Sequence, residues 1–167
     1  MRLVVQRVSS ASVSVNEEVV SKIGRGLCVL VGLQDTDTHD DLVWMANKLL
    51  KFRLFDDDPG RRWARGVQEA GLELLCVSQF TLCCELKGNK PDYRKAMAGE
   101  TASAFYTQFL EMLRREYEAE KIKDGVFGAM MQVGIINDGP VTVTLDHPPL
   151  PHEKSKQGDV SSSSKKS

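Results

Sequence analysis

Met130-Met131-Gln132-Val133-Gly134-Ile135-Ile136-Asn137-Asp138-Gly139-Pro140-Val141-Thr142-Val143-Thr144-Leu145 sets the character of the fold. Two strand-like runs, 130–136 and 141–145, flank Asn137-Asp138-Gly139-Pro140, and Asp-Gly between two strands signals a hairpin. Pro140 has no N–H to give to a ladder, so the second run must begin at an edge or an opening. X-Pro bonds adopt cis at little cost, which makes Gly139-Pro140 a candidate cis peptide. A rigid Gly-Pro would hold two carbonyl oxygens in fixed directions.

Strand signals continue towards the N-terminus. Leu3, Val5 and Val8, then Ala11, Val13 and Val15, fall into two phases of alternation that break at Ser9-Ser10, as at a bulge or tight bend. Val19, Val20 and Ile23 follow. Leu27 to Leu33 is an unbroken apolar run, expected as a buried central strand. Thr38 with Asp41 three residues on is N-cap chemistry. Leu42, Met45, Ala46, Leu49 and Leu50 then recur at helical spacing, so a helix is predicted over 38–51. Arg53-Leu54-Phe55 reads as a short strand and Asp56-Asp57-Asp58-Pro59-Gly60 as a solvated turn, since no later Gly and Glu complete a calcium loop. Leu72 to Leu82 reads as a strand and Lys87 to Arg94 as a polar loop. Thr101 is expected to cap a second helix carrying Ala102, Phe105, Tyr106, Phe109, Met112 and Leu113 on one face. Lys123-Asp124-Gly125 reads as a turn. Many strands, two helices and no βα alternation imply an α+β fold: one domain over 1–146 on a bent, barrel-like antiparallel sheet. The tail 147–167, rich in Pro, Ser and Lys, reads as disordered.

Bulk properties narrow the function classes. The 167 residues suit one domain with a real core, with 41% hydrophobic and 27% charged residues. No run approaches the roughly 18 apolar residues of a membrane helix, and the N-terminus lacks the apolar stretch of a signal peptide. A cytoplasmic protein with no membrane partner is expected. Cys28, Cys76, Cys83 and Cys84 form no C-x-x-C pair, and His39, His147 and His152 have no ligand spacing, so buried reduced thiols are expected and no metal. The net charge is −1, and residues 1–146 hold 18 basic against 21 acidic groups. RNA, if bound, is held at a focused site and not on a general basic face.

Three segments carry candidate chemistry. Ser78-Gln79-Phe80-Thr81 offers two hydroxyls and an amide at the end of a buried strand, but a hydroxyl nucleophile needs an adjacent base. The histidines are poor candidates for it, in a helix cap or in the tail, so a Ser-His-Asp triad is disfavoured. Lys87-Gly88-Asn89-Lys90-Pro91-Asp92-Tyr93-Arg94-Lys95 has four basic residues and one aromatic, suited to a phosphate or a sugar or simply to exposure. Arg61, Arg62 and Arg65 form a second basic cluster, read as a solvated hairpin. Asn137 to Pro140 is the third segment.

Taken together, Ser78-Gln79-Phe80-Thr81-Leu82 and Asn137-Asp138-Gly139-Pro140-Val141-Thr142 resemble the two signature motifs of the D-aminoacyl-tRNA deacylase family, in matching order and spacing. Val5-Gln6-Arg7-Val8, Lys87-Gly88-Asn89-Lys90-Pro91-Asp92 and Asp124-Gly125-Val126-Phe127-Gly128-Ala129 match as well, so the resemblance spans residues 1 to about 146. It implies a deacylase-type fold and a homodimer with active sites at the subunit interface. It also implies hydrolysis of the ester joining a D-amino acid, or glycine, to the 3′ end of tRNA, and no metal or organic cofactor. The Gly139-Pro140 turn would be cis and reach into the partner's pocket as the filter that rejects L-aminoacyl-tRNA. Phe80 and Thr81 would contribute main-chain contacts, with the Phe80 amide as an oxyanion donor, and Ser78 and Gln79 would orient the pocket. Asn137, Gln6, Phe127 and Met131 are further pocket candidates. Lys87, Asn89, Lys90 and Arg94 are candidate tRNA contacts.

An aminoacyl ester is already activated. Placement, oxyanion donors and the neighbouring ribose 2′-hydroxyl can therefore replace a strong nucleophile. Three other readings compete: a covalent enzyme using Thr81 or Ser78, a non-enzymatic nucleic-acid-binding dimer, and a deacylase for mischarged L-alanine. The acidic balance of residues 1–146 counts against the second, and the intact Ser78-Gln79-Phe80-Thr81 against the third.

Overall fold

The computed structural model describes residues 1–149. The disorder expected of the tail therefore concerns residues outside the described ones, except at 147–149. At the start of that stretch His147 is anchored. Its N–H donates to the Met1 carbonyl (3.0 Å), its own carbonyl accepts from the Met1 ammonium (2.8 Å), and its ring stacks on Trp44 at 4.2 Å.

In chain order the elements are β1 (Arg2–Val15), β2 (Glu18–Ile23), β3 (Gly26–Gly32), α1 (His39–Lys51), β4 (Glu73–Ser78), β5 (Glu85–Lys87), β6 (Lys90–Asp92), α2 (Gly99–Glu116), β7 (Ile122–Asp124) and β8 (Gln132–Asp146). A 3₁₀ turn at Phe80–Cys83 follows β4. β5 and β6 form a separate two-stranded hairpin, and the other strands make one sheet.

β1 organises that sheet. One edge pairs with β3 over Arg2 to Val8 and with β2 from Ala11 to Val15; the other edge pairs with β8 along nearly its whole length. The break at Ser9-Ser10 is real: the β1–β8 register shifts there. Leu3 and Val5 belong to one core cluster, while Val8, Ala11 and Val13 belong to another. Adjacent residues of β3 and β4 alternate between these clusters, Leu27, Val29, Leu74 and Cys76 in the first, Cys28, Leu75 and Val77 in the second. Both faces of the two strands are covered, which explains their unbroken apolar sequences. The helices close the first face with Leu42, Met45, Leu49, Tyr106, Phe109 and Leu113. α1 starts as expected, the Thr38 N–H donating to Asp41 Oδ2 at 2.7 Å.

The fold is α+β, one domain on a nearly closed, barrel-like sheet with two helices. The sheet is mixed, however, because β3–β4 and β4–β7 are parallel. Parallel neighbours need a long crossover, and α1 and α2 supply the two crossovers, so βα alternation does occur in this half of the chain. It escapes sequence reading because β7 holds only three residues, Ile122-Lys123-Asp124, and looks like a turn.

Other boundaries move too. β4 stops at Ser78, so Phe80 and Thr81 sit on the 3₁₀ turn and not on a strand. Arg53-Leu54-Phe55 yields only an isolated bridge, Phe55 to Arg65. The polar loop at 87–94 contains half of a hairpin, and α2 begins at Gly99 with Ala98, not Thr101, as its cap. The largest correction concerns the stretch over 130–145. It is one strand, not a hairpin. Gln132 to Ile136 pair with Ser14 to Ser10, Asn137 pairs with Val8, and Val141 pairs with Arg7. Val8 and Arg7 are adjacent, so Asp138-Gly139-Pro140 bulge out of a continuing ladder. Gly139 has φ +126, a conformation that only glycine adopts easily, and Pro140 has no N–H to leave unpaired.

Candidate functional site

The candidate residues gather at two places. The first is the C-terminal end of β4. Ser78 pairs with Val31 of β3, and the Gln79 N–H donates to the Val31 carbonyl at 2.8 Å. The chain then turns into the 3₁₀ segment, which lies directly on Gly32. A Cβ there would come within 2.8 Å of Leu82 Cβ and 3.3 Å of the Gln79 carbonyl oxygen. Arg2 fastens the turn from the other side, donating to the Leu82 carbonyl at 3.3 Å. The first N–H groups of such a turn have no acceptor inside it. In this turn those are the N–H groups of Phe80 and Thr81.

The side chains argue against a covalent nucleophile. The Gln79 side-chain amide donates to Thr81 Oγ1 at 2.5 Å, and an amide cannot take a proton from that hydroxyl. Neither described histidine belongs to the site: His39 opens α1 and His147 sits on Trp44. Burial pushes the Cys28 thiol up to about 11 and raises the Cys76 thiol and the Tyr106 phenol further, so none serves as a base near neutral pH. Among the described residues no cluster of His, Cys, Asp or Glu could hold a metal.

Phe127 and Met131 belong to this end. The Gly125 N–H and the Tyr106 hydroxyl both donate to the Cys76 carbonyl, at 3.1 and 3.0 Å, two residues before Ser78. Phe127 packs on the Tyr106 ring at 5.7 Å, and Met131 Sδ accepts from the Val126 N–H at 3.4 Å. On the outer side Phe80 stays 59% exposed and meets Tyr93 edge-to-face at 5.2 Å. Tyr93 follows the β5–β6 hairpin that carries Lys87, Asn89 and Lys90, with Arg94 next to it.

The second place is the Asp138–Pro140 bulge. Arg7 holds it: Nε donates to the Asp138 carbonyl at 3.2 Å and lies 3.4 Å from its carboxylate, while Nη1 donates to the Leu54 carbonyl at 2.7 Å. Trp63 flanks the same guanidinium, 6.0 Å from ring centroid to Cζ. Gln6 reaches Asn137 only at the limit of a hydrogen bond, 3.5 Å. The Gly139–Pro140 peptide is cis, and both residues are exposed. Sequence reasoning assigned no site role to Arg7 or Trp63. Only the alternation of β1, which points Arg7 away from Gln6, could have linked Arg7 to the bulge.

The two places do not meet within one chain. Ser78 is level with Val31, Leu3 and Leu145, and the bulge is level with Arg7. Along β1 that is four residues, roughly 13 Å; across from β4 to β8 it is three strand spacings, roughly 14 Å.

A family profile for D-Tyr-tRNA(Tyr) deacylase matches residues 4–146. D-aminoacyl-tRNA deacylase 1 of Danio rerio is 57% identical over 151 residues, covering 90% of this chain and 73% of that protein. D-aminoacyl-tRNA deacylase of Drosophila melanogaster is 55% identical, covering 89% of this chain and 93% of that one. Among solved structures, the c-Myc DNA Unwinding Element Binding Protein superposes with a TM-score of 0.87 at 54% identity, over 89% of this chain and 100% of its own. A probable eukaryotic D-amino acid tRNA deacylase, 19% identical, shares the fold with a TM-score of 0.74, over 86% of this chain and 97% of its own. With both motifs intact in the matched region and identities above half, the chain belongs to the D-Tyr-tRNA(Tyr) deacylase family.

Proposed function

We propose that this protein hydrolyses the ester of D-aminoacyl-tRNA and of glycyl-tRNA in the cytoplasm, releasing tRNA and free amino acid while rejecting L-aminoacyl-tRNA. It acts as a homodimer in which each active site joins the β4 end of one subunit to the Asp138–Pro140 bulge of the other. The observation that carries this reading is the separation of the two signature motifs in a chain that keeps both intact. A second copy is the simplest way to bring them together.

The geometry supports the following roles. The Phe80 amide, with the Thr81 amide beside it, faces the developing oxyanion of the attacked ester. Gln79 and Ser78 shape the pocket wall, and Phe127 and Met131 form its apolar floor. No side chain attacks the carbonyl. The ribose 2′-hydroxyl beside the ester assists a water molecule, which adds to the carbonyl; the tetrahedral intermediate then expels the 3′-oxygen, which takes a proton. The Gly139 and Pro140 carbonyls occupy the volume into which an L side chain would point, so selection is by rejection. Glycine has no side chain to reject. The hairpin residues Lys87, Asn89, Lys90 and Arg94 meet the acceptor end of the tRNA. A tRNA ending in 2′-deoxyadenosine tests the chemistry: its D-aminoacyl ester should be cleaved much more slowly than the ribose form. Equal rates would remove the 2′-hydroxyl from the mechanism, and no cleavage of either ester would remove the function.

A further inference from the structure

The β5–β6 hairpin presents an apolar surface that folding does not account for. Leu86 is 73% exposed and Phe80 59%, and Phe80 meets Tyr93 edge-to-face, so the pair cannot bury both ring faces against each other. Basic groups border this surface. Asp92 neutralises Arg94 (2.9 Å) and lies near Lys87 (3.9 Å), and Glu85 pairs with Lys95. Lys90 is left out of these pairs, so Lys87, Lys90, Arg94 and Lys95 outnumber Glu85 and Asp92 four to two. Hydrogen bonds from Arg94 hold the Asp92 carboxyl below its usual range, so it remains charged and keeps the arginine in place. The hairpin is tied to the body by the Asp35 N–H donating to the Lys95 carbonyl (2.9 Å) and the Met97 N–H donating to the Leu33 carbonyl (3.0 Å). It is therefore a fixed platform beside the Phe80 amide.

An exposed ring, Phe80, set against a half-buried one, Tyr93, and interleaved with cations suits one kind of partner, an unpaired nucleic-acid strand whose bases stack while its phosphates are neutralised. We infer that Phe80, Tyr93 and Leu86 form a stacking platform for the unpaired nucleotides that precede the terminal adenosine of the substrate tRNA, with Lys90 on their phosphates. This inference rests on the proposed deacylase function and deepens it. The platform would place the ester at the Phe80 amide by gripping RNA rather than amino acid, which fits an enzyme tolerant of many side chains.

The test compares two substrates on the full-length protein: D-aminoacyl-tRNA, and 3′-D-aminoacyl-adenosine, which lacks the preceding nucleotides. Tyr93→Ala should lower kcat/KM on the tRNA relative to the nucleoside by about tenfold, the scale of one lost base–ring stack, mostly through KM. Tyr93→Phe, which keeps the ring, should restore the ratio. Lys90→Ala should flatten the dependence of the tRNA KM on salt, by about one phosphate contact. Equal losses on both substrates would assign Tyr93 to folding and overturn the platform. So would dissociation of Leu86→Asp in sedimentation, because the patch would then be an interface between copies. Failure of the parent protein on both substrates would instead overturn the deacylase function, while an active parent with an unchanged ratio in Tyr93→Ala overturns the platform alone.

Discussion

Gly139 is the residue on which the proposed filter turns. Its φ of +126 strains any side chain, and Val141 N and Cγ2, each 3.0 Å from where a Cβ would stand, would have to give way. Gly139→Ala should therefore destabilise the protein by about 1–3 kcal/mol. It should also slow D-aminoacyl-tRNA hydrolysis by about a hundredfold, the scale of a misplacement near 1 Å. Thermal melting and single-turnover deacylation separate the two effects. Thr81 calls for the opposite outcome. Its hydroxyl accepts from Gln79 and faces no base, so Thr81→Ala should keep activity within about tenfold of the parent. Loss of a true covalent nucleophile would cost on the order of 10⁶, and a fall of that size in a folded Thr81→Ala protein would reinstate the covalent reading.

At the scale of elements, the 3₁₀ turn and α1 make distinct demands. Gly32 lets the turn lie against β3, so Gly32→Ala should push the Phe80 amide out of place and lower kcat more than it raises KM. α1 is set by its capping carboxylate. Burial raises the Asp41 carboxyl, but hydrogen bonds from the Thr38 N–H and hydroxyl, with His147 nearby, bring it below its usual value. A depressed carboxyl stabilises the fold above about pH 4, and that contribution disappears as the pH falls through the folded value. Asp41→Asn should lower Tm at pH 7 and converge with the parent as the pH falls below the folded value of the carboxyl; an unchanged gap at low pH would deny the carboxylate this role. α1, the Ser9-Ser10 bend and the buried β3 were legible in the sequence because each follows from a local period or cap. β7 and the crossover topology were not, since three polar-flanked residues carry no period and parallel pairing is decided by distant partners. The bulge was misread for a related reason. Asp-Gly-Pro says that the backbone departs from the ladder, while only the full length of β1 decides whether it returns to the same edge.

For the whole molecule, both signature motifs were visible in the sequence, yet their arrangement was not, because they lie on opposite sides of the β1–β3 pair. Arg7 illustrates the gap: its grip on Asp138 depends on a strand pairing more than a hundred residues distant, |i−j| = 131. If the site is completed by a second subunit, specific activity should fall when the protein is diluted below the dimer dissociation constant, in step with the monomer fraction seen by sedimentation. Activity that tracked total protein at every concentration would point to a site complete within one chain. The central claim, a site that selects substrates by excluding L side chains, is tested most directly by measuring deacylation of D-, L- and glycyl-tRNA charged on the same tRNA. The D and glycyl esters should be cleaved while the L ester survives; equal rates on the D and L esters would contradict it.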